Sequence, residues 1–140
     1  LDSSPQQAAV YWAVPGKEIV QTARLVASAR LADAQGDLQG AAKAYEEAIA
    51  VEDALAYMEP PYWYYPIRQS LGSVYLRQGK LDAAEKALRD SLGRVRSNGW
   101  ALAGLTEVYK RKGDAKAEAS ARQAYTRAWL GGAAPDINRL

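Results

Sequence analysis

The 140-residue sequence contains no cysteine and no histidine. Without cysteine there are no disulfides, thiolate nucleophiles or cysteine-based metal sites. Without histidine the chain lacks the commonest general base, the commonest zinc ligand and the side chain that titrates near neutral pH. Any catalysis would have to use Asp, Glu, Lys, Tyr, Ser or Thr. We therefore predict a protein that is not an enzyme, and we expect neither a cofactor nor a bound metal.

The sequence also lacks a strong charge bias and a long apolar run. Its 18 basic and 16 acidic residues are interspersed and leave a net charge of +2. Such a balance argues against nucleic acid as a partner. No apolar stretch reaches the roughly 20 residues that cross a bilayer, so we expect no membrane insertion. The apolar fraction of 49% is typical of an ordinary globular domain, and the length suits one domain.

The first residue is Leu1 rather than methionine, and no basic stretch followed by an apolar segment marks a secretion signal. We interpret the sequence as a processed or excised piece of a longer chain. The missing upstream part would then carry any targeting signal, and the absence of cysteine suits both cytoplasm and periplasm.

Apolar and small residues recur with the three-to-four-residue period of amphipathic helices. A helix predicted over residues 17–35 stops at Gly36, and a second helix follows it. The same arrangement recurs around Gly79 and Gly113, which lie 34 residues apart. Gly36 and Gly79 are 43 residues apart, and the nine extra residues fall in a proline- and aromatic-rich region before Pro66. The sequence therefore predicts an all-α chain of repeated helix–turn–helix units.

Each of the three units matches part of one pattern. The pattern has a large residue, a Leu-Gly/Ala pair and a tyrosine in the first helix, then a turn glycine, then Ala, an aromatic residue or Leu, and Ala in the second helix. The matching residues are Leu25, Ala29, Gly36, Ala41, Tyr45 and Ala48, then Leu71, Gly72, Tyr75, Gly79, Ala84 and Leu88, then Trp100, Leu102, Leu105, Tyr109 and Gly113. This pattern resembles the tetratricopeptide repeat (TPR) family over about residues 22–130. It looks like the C-terminal repeat segment of longer bacterial TPR proteins.

The resemblance implies an all-α, right-handed superhelix (a TPR-like solenoid) of three helix–turn–helix repeats with a short N-terminal helix, in a single domain. Small residues are expected where the helices of a pair cross, at Ala41, Ala84 and Ala119. Ala119 takes this place instead of Glu118 because the second helix of the third unit is expected to be one residue out of register. The expected segments are a leading helix and cap (1–16), repeat 1 (22–55), an aromatic and proline insertion (56–64), repeat 2 (65–98), repeat 3 (99–130) and a flexible tail (131–140).

The insertion runs into the stretch EPPYWYYPIRQSLG at residues 59–72. Two consecutive prolines cannot lie inside a helix, so the preceding helix should end near Tyr57 or Met58. Pro66 suits the start of the next helix, where its missing N–H costs nothing. Four consecutive aromatic residues, 62–65, lie between. Either their rings cover the end of the first helix pair, or one or two of them are exposed and grip a ligand.

In TPR proteins the first helices of successive repeats line a concave groove that holds a peptide or a partner's helix. The resemblance therefore implies a protein- or peptide-binding scaffold, and a mildly basic groove with aromatic anchors suits an acidic or amphipathic segment. The clamp with which some members hold chaperone tails is not matched. The candidate groove residues are Arg30, Asp33, Tyr62, Trp63, Tyr65, Gln69, Ser73, Arg77, Trp100, Glu107, Lys110 and Arg111.

Two alternatives stay open at this point. The chain could be an accessory or regulatory repeat segment of a larger enzyme or transport protein, or a self-associating structural module that forms a homo-oligomer. The bacterial resemblance slightly favours the cytoplasm of a bacterium over the periplasm. The identity of the partner is not encoded in any motif that we recognise.

Overall fold

The computed structural model describes the backbone of residues 15–139 and the side chains of residues 15–138. Within that range the chain is helical and contains no strand, which confirms the all-α prediction. None of the helices described there is long and apolar enough to cross a membrane. The leading helix predicted for residues 1–16 lies almost wholly outside the described range. The helices are α1 (Gly16–Ala34), α2 (Leu38–Asp53), α3 (Ile67–Arg77), α4 (Leu81–Arg94), α5 (Gly99–Lys112) and α6 (Ala115–Ala128), followed by a short 3-10 turn (Ile137–Arg139).

The chain divides into two compact units between Pro66 and Ile67. The first unit contains α1, α2 and the proline- and aromatic-rich link that follows them. The second contains α3 to α6 and the C-terminal segment. The organisation into a single domain with three stacked repeats stays a prediction.

Helix α2 ends at Asp53, earlier than the predicted end near Tyr57. The amide of Ala54 donates to Ala50, whereas that of Leu55 already donates three residues back, to Glu52, as in a tightened last turn. The prolines at 60 and 61 set only a limit beyond which the helix cannot continue, so they do not fix where it ends.

A left-handed glycine ends the first helix of each pair. Gly36, Gly79 and Gly113 have φ angles of +80°, +73° and +72°. The amide of the residue after each glycine donates to a carbonyl five residues earlier, for example Asp37 to Ala32 at 2.9 Å. This is the Schellman arrangement, in which glycine avoids the clash that a Cβ would meet at positive φ. The turns therefore have the predicted positions and a common geometry.

In the first unit α1 packs against α2 through small side chains. Tyr45 is the largest buried residue of the pair, and Ala41 is fully buried at the crossing as predicted. Alanines at a helix crossing let the two backbones approach closely. The buried residues are Thr22, Val26 and Ala29 on α1, and Ala41, Ala42, Tyr45 and Ala48 on α2.

The core of the second unit is built from larger aliphatic residues. Where α3 crosses α4, a Cβ added at Gly72 would lie 2.6 Å from the Cγ of the fully buried Leu88. Glycine is therefore required by the close approach of the two helices. The main buried cluster contains Leu76, Ala84, Leu88, Ala101, Leu105, Val108, Tyr109 and Ala121.

The predicted role of Ala119 is wrong. Ala119 is exposed, while Ala117 and Ala121 pack against the core of the second unit. Helix α6 begins two residues after its turn glycine, as α2 and α4 do, so its register is not shifted. The position that holds Ala41 and Ala84 in the earlier pairs is occupied by Glu118, which forms an ion pair with Arg122. A polar pair thus stands where the preceding helices bury apolar side chains.

The chain after α6 is anchored by Trp129, although the sequence predicted a flexible tail over residues 131–140. The indole Nε1 donates to the carbonyl of Ala133 at 2.9 Å. The ring lies so close to Gly99 and Gly131 that a Cβ at either position would come within 3.0 Å of it. Trp129 therefore holds a reversal of the chain beside the start of α5.

Candidate functional site

Seven of the predicted groove residues lie in the second unit, on two helices that contact each other. We call this surface the α3–α5 face. The guanidinium of Arg111 on α5 donates to the carbonyl of Leu76 on α3 at 3.1 Å and links the two helices. The residues of the face are Gln69, Ser73 and Arg77 on α3, and Trp100, Glu107, Lys110 and Arg111 on α5.

Gln69 serves the packing of this unit rather than its surface. It is only 6% exposed, and its Oε1 accepts from Asn98 Nδ2 at 2.9 Å. Asn98 is the N-cap of α5, where its Oδ1 accepts from the amide of Ala101 at 3.2 Å. Gln69 therefore fixes the start of α5 from a neighbouring helix. Its prediction as a groove contact does not fit this burial.

Ser73 is also buried, at 1% exposure, but its partner is far away in the sequence. Its hydroxyl donates to the carbonyl of Ile137 at 2.6 Å. A serine inside a helix commonly bonds to the carbonyl four residues before it. Here the hydroxyl instead holds the backbone of the C-terminal segment, and the 3-10 turn contacts both α3 and α5. The C-terminal segment thus lies on the α3–α5 face through its 3-10 turn.

Trp100 forms an aromatic cluster at the start of α5. It meets Trp129 edge to face with ring centroids 5.1 Å apart, and Trp129 stacks on Tyr125 at 5.9 Å. Trp100 keeps 38% of its surface exposed. It therefore offers an accessible apolar surface whose position is fixed by the neighbouring rings.

The charges of the face are concentrated in the second half of α5. Arg111 pairs with Glu107 at 2.7 Å, one helical turn earlier, and Lys110 is exposed beside them. Arg77 on α3 is half-buried. Three cations accompany one carboxylate among these residues, so the mildly basic character predicted for this surface agrees with their positions.

In the first unit the predicted site residues Arg30 and Tyr65 contact one another. The guanidinium of Arg30 on α1 lies over the ring of Tyr65, 4.7 Å from its centroid. Hydrogen bonding to Tyr65 is the main reason that the pKa of Arg30 is raised. Asp33, three residues later on α1, is half-buried. The aromatic link therefore folds back onto the side of α1 that the sequence assigned to the groove, and such a cation–π contact contributes roughly 0.5–1 kcal/mol.

The four consecutive aromatics divide between the two interpretations that the sequence left open. Tyr62, Trp63 and Tyr65 are half-buried, while Tyr64 is 90% exposed. Among the described residues, no acceptor lies within hydrogen-bonding distance of the buried indole nitrogen of Trp63. Tyr64 was not among the predicted site residues. No sequence signal selects it, because four adjacent rings carry no period that separates inward from outward positions.

Sequence reasoning also missed a polar cluster between α4 and α5. Lys112 bonds to Glu85 at 2.6 Å and to Asp82, and Tyr109 donates to Glu85 at 3.0 Å. The bond from Lys112 lowers the pKa of Glu85, and the two carboxylates raise the pKa of Lys112 to about 12. Burial raises the pKa of Tyr109, whose hydroxyl also accepts from Arg89. Because all these groups are paired with one another, the cluster serves to join the two helices.

The described part of the chain contains no group of three or more carboxylates that could hold a metal ion. The candidate site is therefore a partly apolar helical face and its charges. In comparisons with known proteins, no family model, no curated protein and no solved structure matches this chain.

Proposed function

We propose that this chain is a TPR-like, non-catalytic scaffold that binds a protein or peptide segment on the α3–α5 face. In this proposal the helix pairs stack as a right-handed superhelix, and the first helices present the ligand-binding surface. The observation that carries the proposal is the hydrogen bond from Ser73 to the backbone carbonyl of Ile137. The face already holds a stretch of polypeptide through its backbone, which is how a surface can accept peptides of different sequence.

The surroundings of this contact support a peptide ligand. Trp100 supplies a fixed and accessible aromatic surface, which is the residue type most often found at energetically dominant positions of interfaces. Lys110 and Arg111 supply positive charge on the same helix. An acidic or amphipathic segment would complement both features.

The test is selection of binding peptides from a random display library on the intact chain, followed by affinity measurements on variants. We expect Trp100→Ala to weaken the selected peptides by about 10- to 30-fold, as for an aromatic hot spot. Lys110→Ala should weaken acidic peptides more than neutral ones. Lys116→Ala, an exposed substitution on α6, is the matched control and should leave affinity unchanged. Equal affinity for all three variants, with helicity preserved, would contradict the assignment to this face.

Self-association is a second candidate because of one feature of the first unit. Val20 and Leu31 on α1 are both exposed, and a separation of 11 residues places them on the same side of a helix. An exposed apolar stripe of this kind suits contact with another copy. Light scattering after size exclusion should then show a dimer that Leu31→Asp converts to a species of 15.2 kDa. A chain that stays monomeric at high concentration would exclude this candidate.

A further inference from the structure

The C-terminal segment reaches the α3–α5 face by a defined path. After α6 ends at Ala128, the bond from the Trp129 indole to the carbonyl of Ala133 holds the reversal of the chain. The segment then continues to the 3-10 turn that begins at Ile137. Asp136 accepts from the amide of Asn138 at 2.9 Å and shapes that turn locally. The segment is thus delivered to the face by its own short-range bonds.

The attachment to the face itself is small. Ile137 packs against the apolar cluster of the second unit, and its carbonyl accepts from Ser73. Pro135 is half-buried, whereas Ala133, Ala134, Asp136 and Asn138 are exposed. The contacts identified with the face are therefore one branched side chain and one backbone carbonyl, both of Ile137. Contacts of this extent can be exchanged for those of another chain without unfolding the helices.

The two contacts of Ile137 define which other peptides could bind at this position. Ser73 recognises a carbonyl, a group that every residue provides, whereas the site that Ile137 occupies requires an aliphatic side chain. A ligand for this position is therefore a peptide that presents a branched aliphatic residue with its carbonyl turned toward α3. The residues on either side of Ile137 are exposed, so the face does not restrict which residues flank the anchor of a bound peptide.

We propose that the segment 133–138 is an intramolecular occupant of the α3–α5 face, which a partner peptide with a branched aliphatic anchor must displace. This inference rests on the proposed function, since it assumes that the face binds peptides. The segment acts as a competitor at high effective concentration, so the apparent affinity for an external peptide is reduced by the fraction of molecules in which the face is free.

The experiment uses a fluorescein-labelled peptide with the sequence of residues 134–139, APDINR, and anisotropy measurements on the full chain. The substitution Ile137→Asp removes the anchor of the segment, so the α3–α5 face is free in most molecules. This variant should therefore bind the labelled peptide at least about tenfold more tightly than the parent does. Leu130→Asp is the matched control, since it places the same charge between α6 and the segment, at a position that is 98% exposed. It should bind like the parent. Ile137→Ala should give an intermediate affinity and serves if the aspartate variant does not fold.

Two further measurements identify the contacts. Adding Ser73→Ala to Ile137→Asp should weaken the peptide about fivefold, the equivalent of one hydrogen bond. A labelled peptide with alanine in place of its isoleucine should lose most of its affinity for Ile137→Asp. If either change has no effect, the peptide is not bound as the segment is, and the inference is overturned.

The outcomes separate this inference from the proposed function. If library-selected peptides bind the parent, Ile137→Asp and Leu130→Asp with equal affinity and Trp100→Ala weakens them, the face binds peptides but the segment does not compete. That result overturns the inference alone. If neither the labelled peptide nor any selected peptide binds the variants, both the inference and the proposed function are wrong.

Discussion

The helix pair α1–α2 and the helix pair α3–α4 turn through the same glycine geometry, yet they bury different side chains. Between α1 and α2 the buried residues are mostly alanines around Tyr45. Between α3 and α4, Gly72 and Leu88 meet, and Leu88 is fully buried. The two arrangements are related position by position, since Tyr45 and Leu88 each lie nine residues after their turn glycine. The same turn geometry thus accepts either a tyrosine or a leucine at this buried position.

The third helix pair, α5–α6, extends this comparison. At the position of Tyr45 and Leu88, helix α6 has Arg122, which pairs with Glu118 at 2.6 Å. At this position α2 and α4 therefore carry a buried apolar residue, whereas α6 carries an ion pair at the surface.

The largest effect is expected from Leu88→Ala, which removes the central side chain of the α3–α4 crossing. Loss of a fully buried leucine leaves a cavity and should lower the free energy of unfolding by about 3 kcal/mol. Urea denaturation followed by circular dichroism measures this loss. Lys86→Ala, on the exposed side of the same helix, is the control and should change stability by less than about 0.5 kcal/mol. A similar small effect for both would show that this crossing is not tightly packed.

Gly72→Ala tests why this crossing differs from that of the first unit, where Ala29 lies at the same distance before its turn glycine. The new Cβ would overlap Leu88, and overpacking of this kind should cost about 1–2 kcal/mol. In the Leu88→Ala background the overlap is removed, so the same substitution should be neutral or stabilising because alanine favours helix over glycine. The double-mutant cycle from urea midpoints gives the coupling. Additive losses would contradict a direct contact between the two positions.

The helix N-caps give a smaller contrast between the turns. Asp37 and Asp114 accept from the amides of Gly40 and Ala117 at 2.8 and 2.9 Å, whereas Lys80 makes no side-chain cap. Replacing either aspartate with alanine should cost about 1 kcal/mol, and Lys80→Asp should gain about 0.5 kcal/mol. Thermal and urea unfolding of the three variants measure these changes. Lys80→Asp would fail as a test of capping if Lys80→Ala raised stability equally.

The smallest effect concerns the ion cluster between α4 and α5. In the folded protein the pKa of Glu85 lies below its ordinary value of 4.5. Its contribution to the free energy of unfolding is therefore fully present above pH 4.5 and is lost as the pH falls through the lowered pKa. Lys112, with a pKa raised from 10.5 to about 12, keeps its contribution until the pH rises through that range. Glu85→Gln should therefore be less stable than the parent at neutral pH, and the difference should shrink as the pH falls below 4.5. Urea midpoints measured from neutral pH into acid test this, and a difference that does not shrink would contradict it.

The turns could be predicted from the sequence because their cause is local. Gly36, Gly79 and Gly113 interrupt a helical period, and a glycine at such a position is sterically suited to positive φ whatever surrounds it. The start of α3 next to Pro66 was predicted from a local cause as well, the missing N–H of proline. The end of α2 was not, because a proline limits a helix without ending it at a particular residue.

The candidate site was predicted less well because exposure is not a local property. Gln69 and Ser73 have the sequence positions of surface residues, but neighbouring parts of the chain cover them and use their polar groups. Tyr64 is exposed among half-buried rings without any sequence signal. Trp100 and Lys110 are accessible on α5, and their role in binding stays a prediction.

The sequence by itself determined the helical class, the position of each glycine turn and the absence of cysteine and histidine chemistry. These follow from residue identity and short-range periodicity. Only the tertiary structure decided that Ala121 rather than Ala119 packs on the core, that Arg30 meets Tyr65, and that Ile137 lies on Ser73. Ser73 and Ile137 are 64 residues apart. Contacts between residues so far apart in the sequence form only when the packed helices bring them together, so no local sequence pattern predicts them.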